Sequence, residues 1–377
     1  MSSSSRIIRG RSGSDFHLGH NVTPTEKIVD ALDRLMTNDN VFANNDLIIF
    51  AGDVTERLLS QPSIEMRQAR QWMARANELS AKHGTVLAVV EGTPLHDWKQ
   101  PEYFVENNRQ RTKPANLIYE KEVKIVYVEQ LGIHILFVPD EAHDTCKLTE
   151  IAVRAELAKH NLEKVDLTIL HGQFKHQYPE HLRDIGMDFH DSDFYLDITR
   201  HFIFAGHVHT HSIYKRIVAH GSIERLGQGY ESPKGCVAFE LNLDDPSKSK
   251  VWFIENTVAM IYKTFKVESD DLQYEADRIR NLSCKLPIGS RLRIMASEGN
   301  PILNLVREFR KEFPIFHWTG EVLKEKRKRV ETVVPAKIKR ARVSIRPDNI
   351  EELLADRLTS LNESERKSVL KVLEKCR

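Results

Sequence analysis

From Asp46 to about Glu255 the chain alternates short apolar runs with amphipathic or polar stretches. Leu47-Ile48-Ile49-Phe50 ends in Ala51-Gly52-Asp53, Val86–Val90 ends in Glu91-Gly92, and Ile133–Val138 ends in Pro139-Asp140. Leu167–Leu170 runs into His171-Gly172, and Phe202–Ala205 into Gly206-His207. Such uninterrupted runs predict strands buried on both faces, since a half-exposed strand would alternate. Met66, Ala69, Met73, Ala76 and Leu79 fall near helical spacing with Gly84 behind them, which predicts a helix over Met66–His83. Another is expected over about 147–160. Strands alternating with helices read as an α/β fold whose sheet is covered on both faces. Open sheets of that kind place their chemistry where strands end, and here several end in Asp, His or Gly.

The pattern changes from about Lys263. Leu272–Leu282 reads as helix, Arg291–Ala296 as strand and Ile302–Phe313 as helix. Between Val322 and Arg346 stand ten Lys/Arg against two Glu, with Pro335 in the middle, which predicts an exposed basic linker. Two short helical patterns follow Pro347, one on Leu353, Leu354 and Leu358, the other on Val369, Leu370, Val372 and Leu373. The second opens on Asn362 with Glu365 three residues on, like a capping box.

Composition narrows the class. The 377 residues allow two or three domains, and 41% hydrophobic with 29% charged residues is ordinary for a soluble protein. Lys+Arg 55 against Asp+Glu 54 excludes a uniformly polybasic coat but leaves local patches open. Cys146, Cys236, Cys284 and Cys376 include no closely spaced pair, which argues against a disulfide framework or zinc ribbon. No apolar run is long enough for a membrane span, and the Ser-rich start has no secretory core, so a cytoplasmic protein is expected.

The chemistry-bearing residues come in five short motifs: Asp15-Phe16-His17, Gly52-Asp53, Gly92-Thr93-Pro94-Leu95-His96-Asp97, His171-Gly172 and Gly206-His207-Val208-His209. All but the first follow an evident strand. Carboxylate mixed with imidazole suits Mn, Fe or Zn better than the oxygen shells of Ca or Mg. In an extended D-x-H or H-x-H the outer side chains project to one side and could reach one metal cluster. Two metals need a bridging ligand, and Asp53, standing alone between the pairs, is the natural candidate. Each motif is weak alone, because a single His is more often a core or surface residue. Their combination is what points to a site. His176, His181, His190, His201, His211 and His220 crowd the same region and are expected to be supporting or solvent-facing.

This order of motifs resembles the calcineurin-like metallophosphoesterases, D-x-H … G-D … G-N-H-D … H … G-H-x-H, over about residues 14–255. Gly221-Ser222-Ile223-Glu224-Arg225, followed by Lys234-Gly235 and Val237–Leu241, resembles the segment closing the nuclease domain of SbcD-type DNA repair nucleases. Its compact length would suit a bacterial or phage version. The resemblance implies a metallophosphoesterase β-sandwich flanked by helices over 1–260, a small α+β capping and DNA-binding domain with the basic linker over 261–340, and a helical partner-binding segment over 341–377. It implies two divalent cations, Mn foremost, with Mg, Fe or Zn as alternatives. Asp15, His17 and His209 would hold the first, His171 and His207 the second, with Asp53 bridging.

The family's Asn is missing from the interrupted third motif, leaving Thr93 or water as candidates for that ligand. His96 would stabilise charge on the phosphate or leaving group, with Asp97 orienting its imidazole. Glu56 stands where many relatives carry a His, and the stretch before Asp15, Arg6–Ser14, is unusually polar for the first strand. Lys324, Lys326, Arg327, Lys328, Arg329, Lys337, Lys339, Arg340 and Arg342 could contact DNA phosphates or belong to a solvated linker.

The implied activity is a 3′-to-5′ exonuclease on duplex ends and an endonuclease on single strands, acting in repair or recombination. An SbcC-like, SMC-type ATPase would be gripped by the C-terminal helices, and a homodimer is implied. The chain has no GxxxxGK[ST] loop of its own. Three other readings stand beside this one: a phosphomonoesterase or small-nucleotide phosphodiesterase, a DNA-end-binding scaffold with weak catalysis, and, least well matched, a structural zinc site.

Overall fold

The computed structural model describes residues 6–180, 183, 187–229 and 231–323. Its strands, in chain order, begin with β1 (Ile7–Gly13), β2 (Leu47–Ala51), β3 (Val86–Val90), β4 (Asn116–Glu120) and β5 (Lys124–Val128). They continue with β6 (Ile133–Val138), β7 (Leu167–His171), β8 (Ile203–Gly206), β9 (Ser212–Tyr214) and β10 (Ile217–Ala219). The last are β11 (Gly235–Asn242), β12 (Lys250–Glu255), β13 (Tyr262–Lys266), β14 (Arg291–Ala296) and β15 (His317–Val322). They build two six-stranded mixed sheets, ordered β12-β11-β1-β2-β3-β4 and β5-β6-β7-β8-β10-β9, and a three-stranded parallel sheet, β13-β14-β15.

The apolar runs are continuous because both faces of each central strand are covered, though by different things. In β2, Leu47, Ile49 and Ala51 pack with Ile133, Ile135, Phe137, Leu167 and Ile169 of the other sheet. Ile48 and Phe50 face instead a layer from helices α1 (Thr25–Leu35), α2 (Asp39–Ala43), α3 (Ile64–His83) and, beyond the short α4 (Pro94–Asp97), α5 (Tyr103–Arg109). The second sheet's outer face is covered by α6 (Cys146–Lys159) and α7 (Ser192–Ile198). The result is a mixed α/β architecture of two packed sheets flanked by helices. Helix α3 starts where Ser63 accepts a hydrogen bond from the Met66 amide and stops at Gly84, whose φ of 74° is left-handed.

The polar stretch before Asp15 is a central strand after all. β1 lies between β11 and β2, and its polar residues have specific partners. Ser12 Oγ is 2.6 Å from His220 Nε2, and Arg11 donates to the Leu35 carbonyl. A Cβ at Gly10 would lie 2.2 Å from Phe239 Cζ and 2.4 Å from the Leu47 carbonyl oxygen, so only glycine fits.

The third sheet packs its own small core with α8 (Leu272–Ser283) and α9 (Val306–Glu312). It is tied to the sandwich through the Gly221–Arg225 segment. Thr23 Oγ1 lies 2.8 Å from both the Arg225 carbonyl and the Tyr262 hydroxyl, while Glu224 Oε1 accepts from the Met260 amide at 2.7 Å. Arg225 donates to the Ala259 and Met260 carbonyls at 3.3 and 3.2 Å.

Cys146, Cys236 and Cys284 are free. Among the described residues no helix is long and apolar enough to cross a membrane. The candidate DNA-contacting Lys and Arg residues from Lys324 to Arg342, the C-terminal helical patterns and His181 lie outside the described residues.

Candidate metal centre

The carboxyl ends of parallel strands from both sheets meet at one edge of the sandwich. β1, β2 and β3 lead to Asp15–His17, Asp53 and the Gly92–Asp97 loop, whereas β6, β7 and β8 lead to Asp140, His171 and His207. The Phe16 and His17 amides both donate to the Asp53 carbonyl, at 2.9 and 3.0 Å, so the first two loops are locked together.

Asp15 and His17 therefore do not sit on an extended D-x-H. Both have φ 53°, Asp53 has φ 50° and His207 φ 88°, all in the left-handed region that side chains resist. Gly52, with φ 85°, precedes Asp53, and a Cβ there would strike His171 Nδ1 at 2.2 Å. The chain accepts strained backbone at four candidate ligands to bring their side chains together.

Asp15, His17 and His209 form one group whose ligand atoms all lie within 4.8 Å of one another, and Asp140, His171 and His207 form another. Asp53 shares further groups with Asp15 and His171 and with His17 and His96. Its Oδ2 is 3.2 Å from His171 Nε2 and 3.8 Å from His17 Nε2, between the two sets. Asp15, His17, Asp53 and His171 are buried. The His96, His207 and His209 side chains are partly exposed, at 35%, 30% and 23%, and mark the side open to solvent.

The nitrogen tautomers follow from outer partners. His171 Nδ1 donates to the Ala51 carbonyl at 2.7 Å, which directs Nε2 toward the Asp53 carboxylate. His207 Nδ1 is buried without a hydrogen-bond partner among the described residues. His17 Nε2 and His209 Nε2 face each other at 3.0 Å. Imidazole nitrogens and carboxylates converging in this way are a donor set that could hold divalent cations.

The clustered charges shift the ionisation of these groups. Burial opposes charge on His171, but the Asp53 carboxylate overrides it and lifts its pKa to about 10. Burial likewise opposes charge on Asp53, yet the surrounding imidazoles hold its pKa below the ordinary carboxylate range. At His209 burial prevails, and its pKa falls to about 4.

Four readings of the sequence need correction or addition. Asp97 does not orient His96. Neighbours in a helix point apart, and α4 sends the Asp97 carboxylate inward to the Gly92 amide at 2.7 Å and the Thr55 amide at 2.9 Å. His96 Nδ1 instead lies 2.7 Å from the Glu56 carbonyl, which leaves Nε2 as its free nitrogen. Thr93 braces Asp53: its amide donates to Asp53 Oδ1 at 2.6 Å, and its hydroxyl lies 3.4 Å from Oδ2. Two residues were missed. Asp140 joins the His171–His207 group, although Pro139-Asp140 carried the same strand-end signal as the assigned ligands. Glu56, read only as a departure, pairs with His17 Nδ1 at 2.7 Å and aims its Nε2 at the centre. Of the supporting histidines, His220, His190 and His201 are buried, while His176 and His211 are partly so.

No family model and no curated protein matches this chain. One solved structure is similar over 66% of this chain and 99% of its own length, with a TM-score of 0.36 and 11% identity. A likeness at that level carries no argument about family or function.

Proposed function

We propose that this protein is a two-metal phosphodiesterase of the SbcD-type nuclease class within the calcineurin-like metallophosphoesterases, cleaving DNA in repair or recombination. The observation that carries the reading is Asp53, whose carboxylate lies between the Asp15–His17–His209 and Asp140–His171–His207 groups. Two divalent cations, when bound, supply Lewis acidity toward a phosphate and acidify the attacking water, with Mn best matched to these donors. The chain's own part is to hold the ligands rigid and to manage the leaving group. As the water oxygen bonds to phosphorus and the P–O bond to the leaving strand breaks, His96 in its imidazolium form would pass its Nε2 proton to the departing oxygen and become the neutral Nδ1–H tautomer, while the proton lost by the water goes to solvent. The Glu56 carbonyl keeps the imidazole aimed by holding Nδ1–H. On this reading an SMC-type ATPase is the partner and the chain works as a homodimer.

The test is cleavage of end-labelled single- and double-stranded DNA in Mn, Mg and chelator. Mn-dependent cleavage is expected, abolished in Asp53→Asn and slowed about 10²- to 10⁴-fold in His96→Ala, the usual worth of a positioned acid. DNA bound but uncut in every metal, with or without an SbcC-like partner and ATP, would sink the nuclease reading in favour of a scaffold. Preferred hydrolysis of small phosphate monoesters would favour a phosphatase.

A further inference from the structure

Beyond β8 the chain runs through His207, Val208, His209 and Thr210 into β9. Val208 and Thr210 line a cleft of about 220 Å³, together with His176, Gln177, Ser212 and Tyr214. Val208 sits between two proposed ligands, and successive Cα atoms are only about 3.8 Å apart, so the cleft adjoins the centre.

Its wall is a column of rings. Phe174 and His176 stack at 5.6 Å and 21°, and His176 and Tyr214 at 4.3 Å and 25°. His176 is anchored through Nδ1, 3.2 Å from Ser192 Oγ, and burial helped by the charge of Arg183 favours its neutral form. Tyr214 ends the column, 39% exposed. Among the described residues the lining holds no Asp, Glu, Lys or Arg, which disfavours a free anion and favours a flat, neutral, polar-edged ring. Thr210, Ser212 and Gln177 can meet such an edge. Lys215 Nζ, outside the lining, lies 5.3 Å from the Tyr214 ring centre and pairs with Asp193 Oδ1 at 3.3 Å.

We propose that this cleft is a base-stacking subsite, seating one nucleobase of a single-stranded nucleic acid beside the phosphate held at the centre. It rests on the phosphodiesterase reading above. A base enters only when free of its stack, so the subsite selects single strands or frayed ends over closed duplex.

The test compares wild type, Tyr214→Ala and Tyr214→Phe of the full chain on three substrates in Mn. These are a single-stranded oligonucleotide, the same strand carrying abasic residues, and bis-p-nitrophenyl phosphate. Tyr214→Ala is expected to lower kcat/KM on the intact strand about 5- to 150-fold, the kinetic equivalent of one stacked base. Tyr214→Phe should keep the rate, the abasic strand should be poor for wild type and no worse for the variant, and the small diester should be unaffected. Equal loss on the small diester would mean a structural role, and fast cutting of the abasic strand would mean no base is read; either overturns the subsite. If wild type hydrolyses no phosphodiester in Mn or Mg, the reading of the centre fails by itself. Quenching of a 2-aminopurine oligonucleotide then judges the cleft separately: quenching lost in Tyr214→Ala upholds it, and none in wild type refutes it.

Discussion

Glu56 acts on the centre without being one of its proposed ligands. Its carboxylate sits 2.7 Å from His17 Nδ1 and so sets which nitrogen of that ring faces the cation. Glu56→Gln should weaken Mn binding about 10- to 100-fold, the usual cost of losing an outer partner. Asp140→Asn should cost more at the His171–His207 side, lowering the Mn stoichiometry as well as the affinity. Titration calorimetry reads both, and isotherms identical to wild type would remove these residues from the centre. His220 makes a second prediction, on stability. Buried against Ser12, it has its pKa lowered to about 3, chiefly by burial. Below about pH 6.5 the unfolded chain takes up a proton that the folded chain refuses until about pH 3. Each pH unit lost in that window should therefore cost about 1.4 kcal/mol, with no cost above it. Urea unfolding between pH 6.5 and 4.5 should show a pH slope in wild type that is steeper by about one proton than in His220→Asn; parallel slopes would rule it out.

Elements were legible where burial alone shapes them. Strands β3 and β6 begin and end where the apolar runs do, and α3 and α6 match the predicted helices to within two residues. β1 was not legible, because its place is set by Gly10 fitting under Phe239 and by Ser12 reaching His220, contacts with residues over two hundred positions away. The interrupted third motif misled for a different reason. Adjacent His and Asp suggest a pair, but α4 turns them apart, and Asp97 instead ties two loops through their amides. Asp140 was missed because one carboxylate after a strand has no second residue in its motif to draw attention to it. Gly10→Ala tests the account of β1. The added methyl meets backbone as well as a ring, so a loss of about 1–3 kcal/mol or more is expected in denaturant midpoints. An unchanged midpoint would mean that β1 has room to shift.

On the scale of the whole molecule, the two sheets meet at the proposed centre, with Asp15 and Asp53 from one and Asp140, His171 and His207 from the other. A cation pair bound there would join sheets otherwise held by apolar packing. Saturating Mn, at about a hundredfold over Kd, should stabilise the fold by about 2.7 kcal/mol, raising Tm by several degrees, with EDTA reversing it. Melting curves that coincide in Mn and EDTA would mean that no cation binds the folded state. The third sheet is attached at the same region. Tyr262 reaches Thr23, whose hydroxyl donates to the Arg225 carbonyl, Glu224 accepts from the Met260 amide, and Asn256 N–H grips the Lys234 carbonyl at 2.6 Å. Lys234 Nζ in turn donates to the His209 carbonyl at 2.6 Å. Mechanically this is a linkage with few joints: a displacement of the small sheet would be passed, through the Lys234 side chain, to the main-chain carbonyl of His209 and so to the backbone that carries one of the proposed ligands.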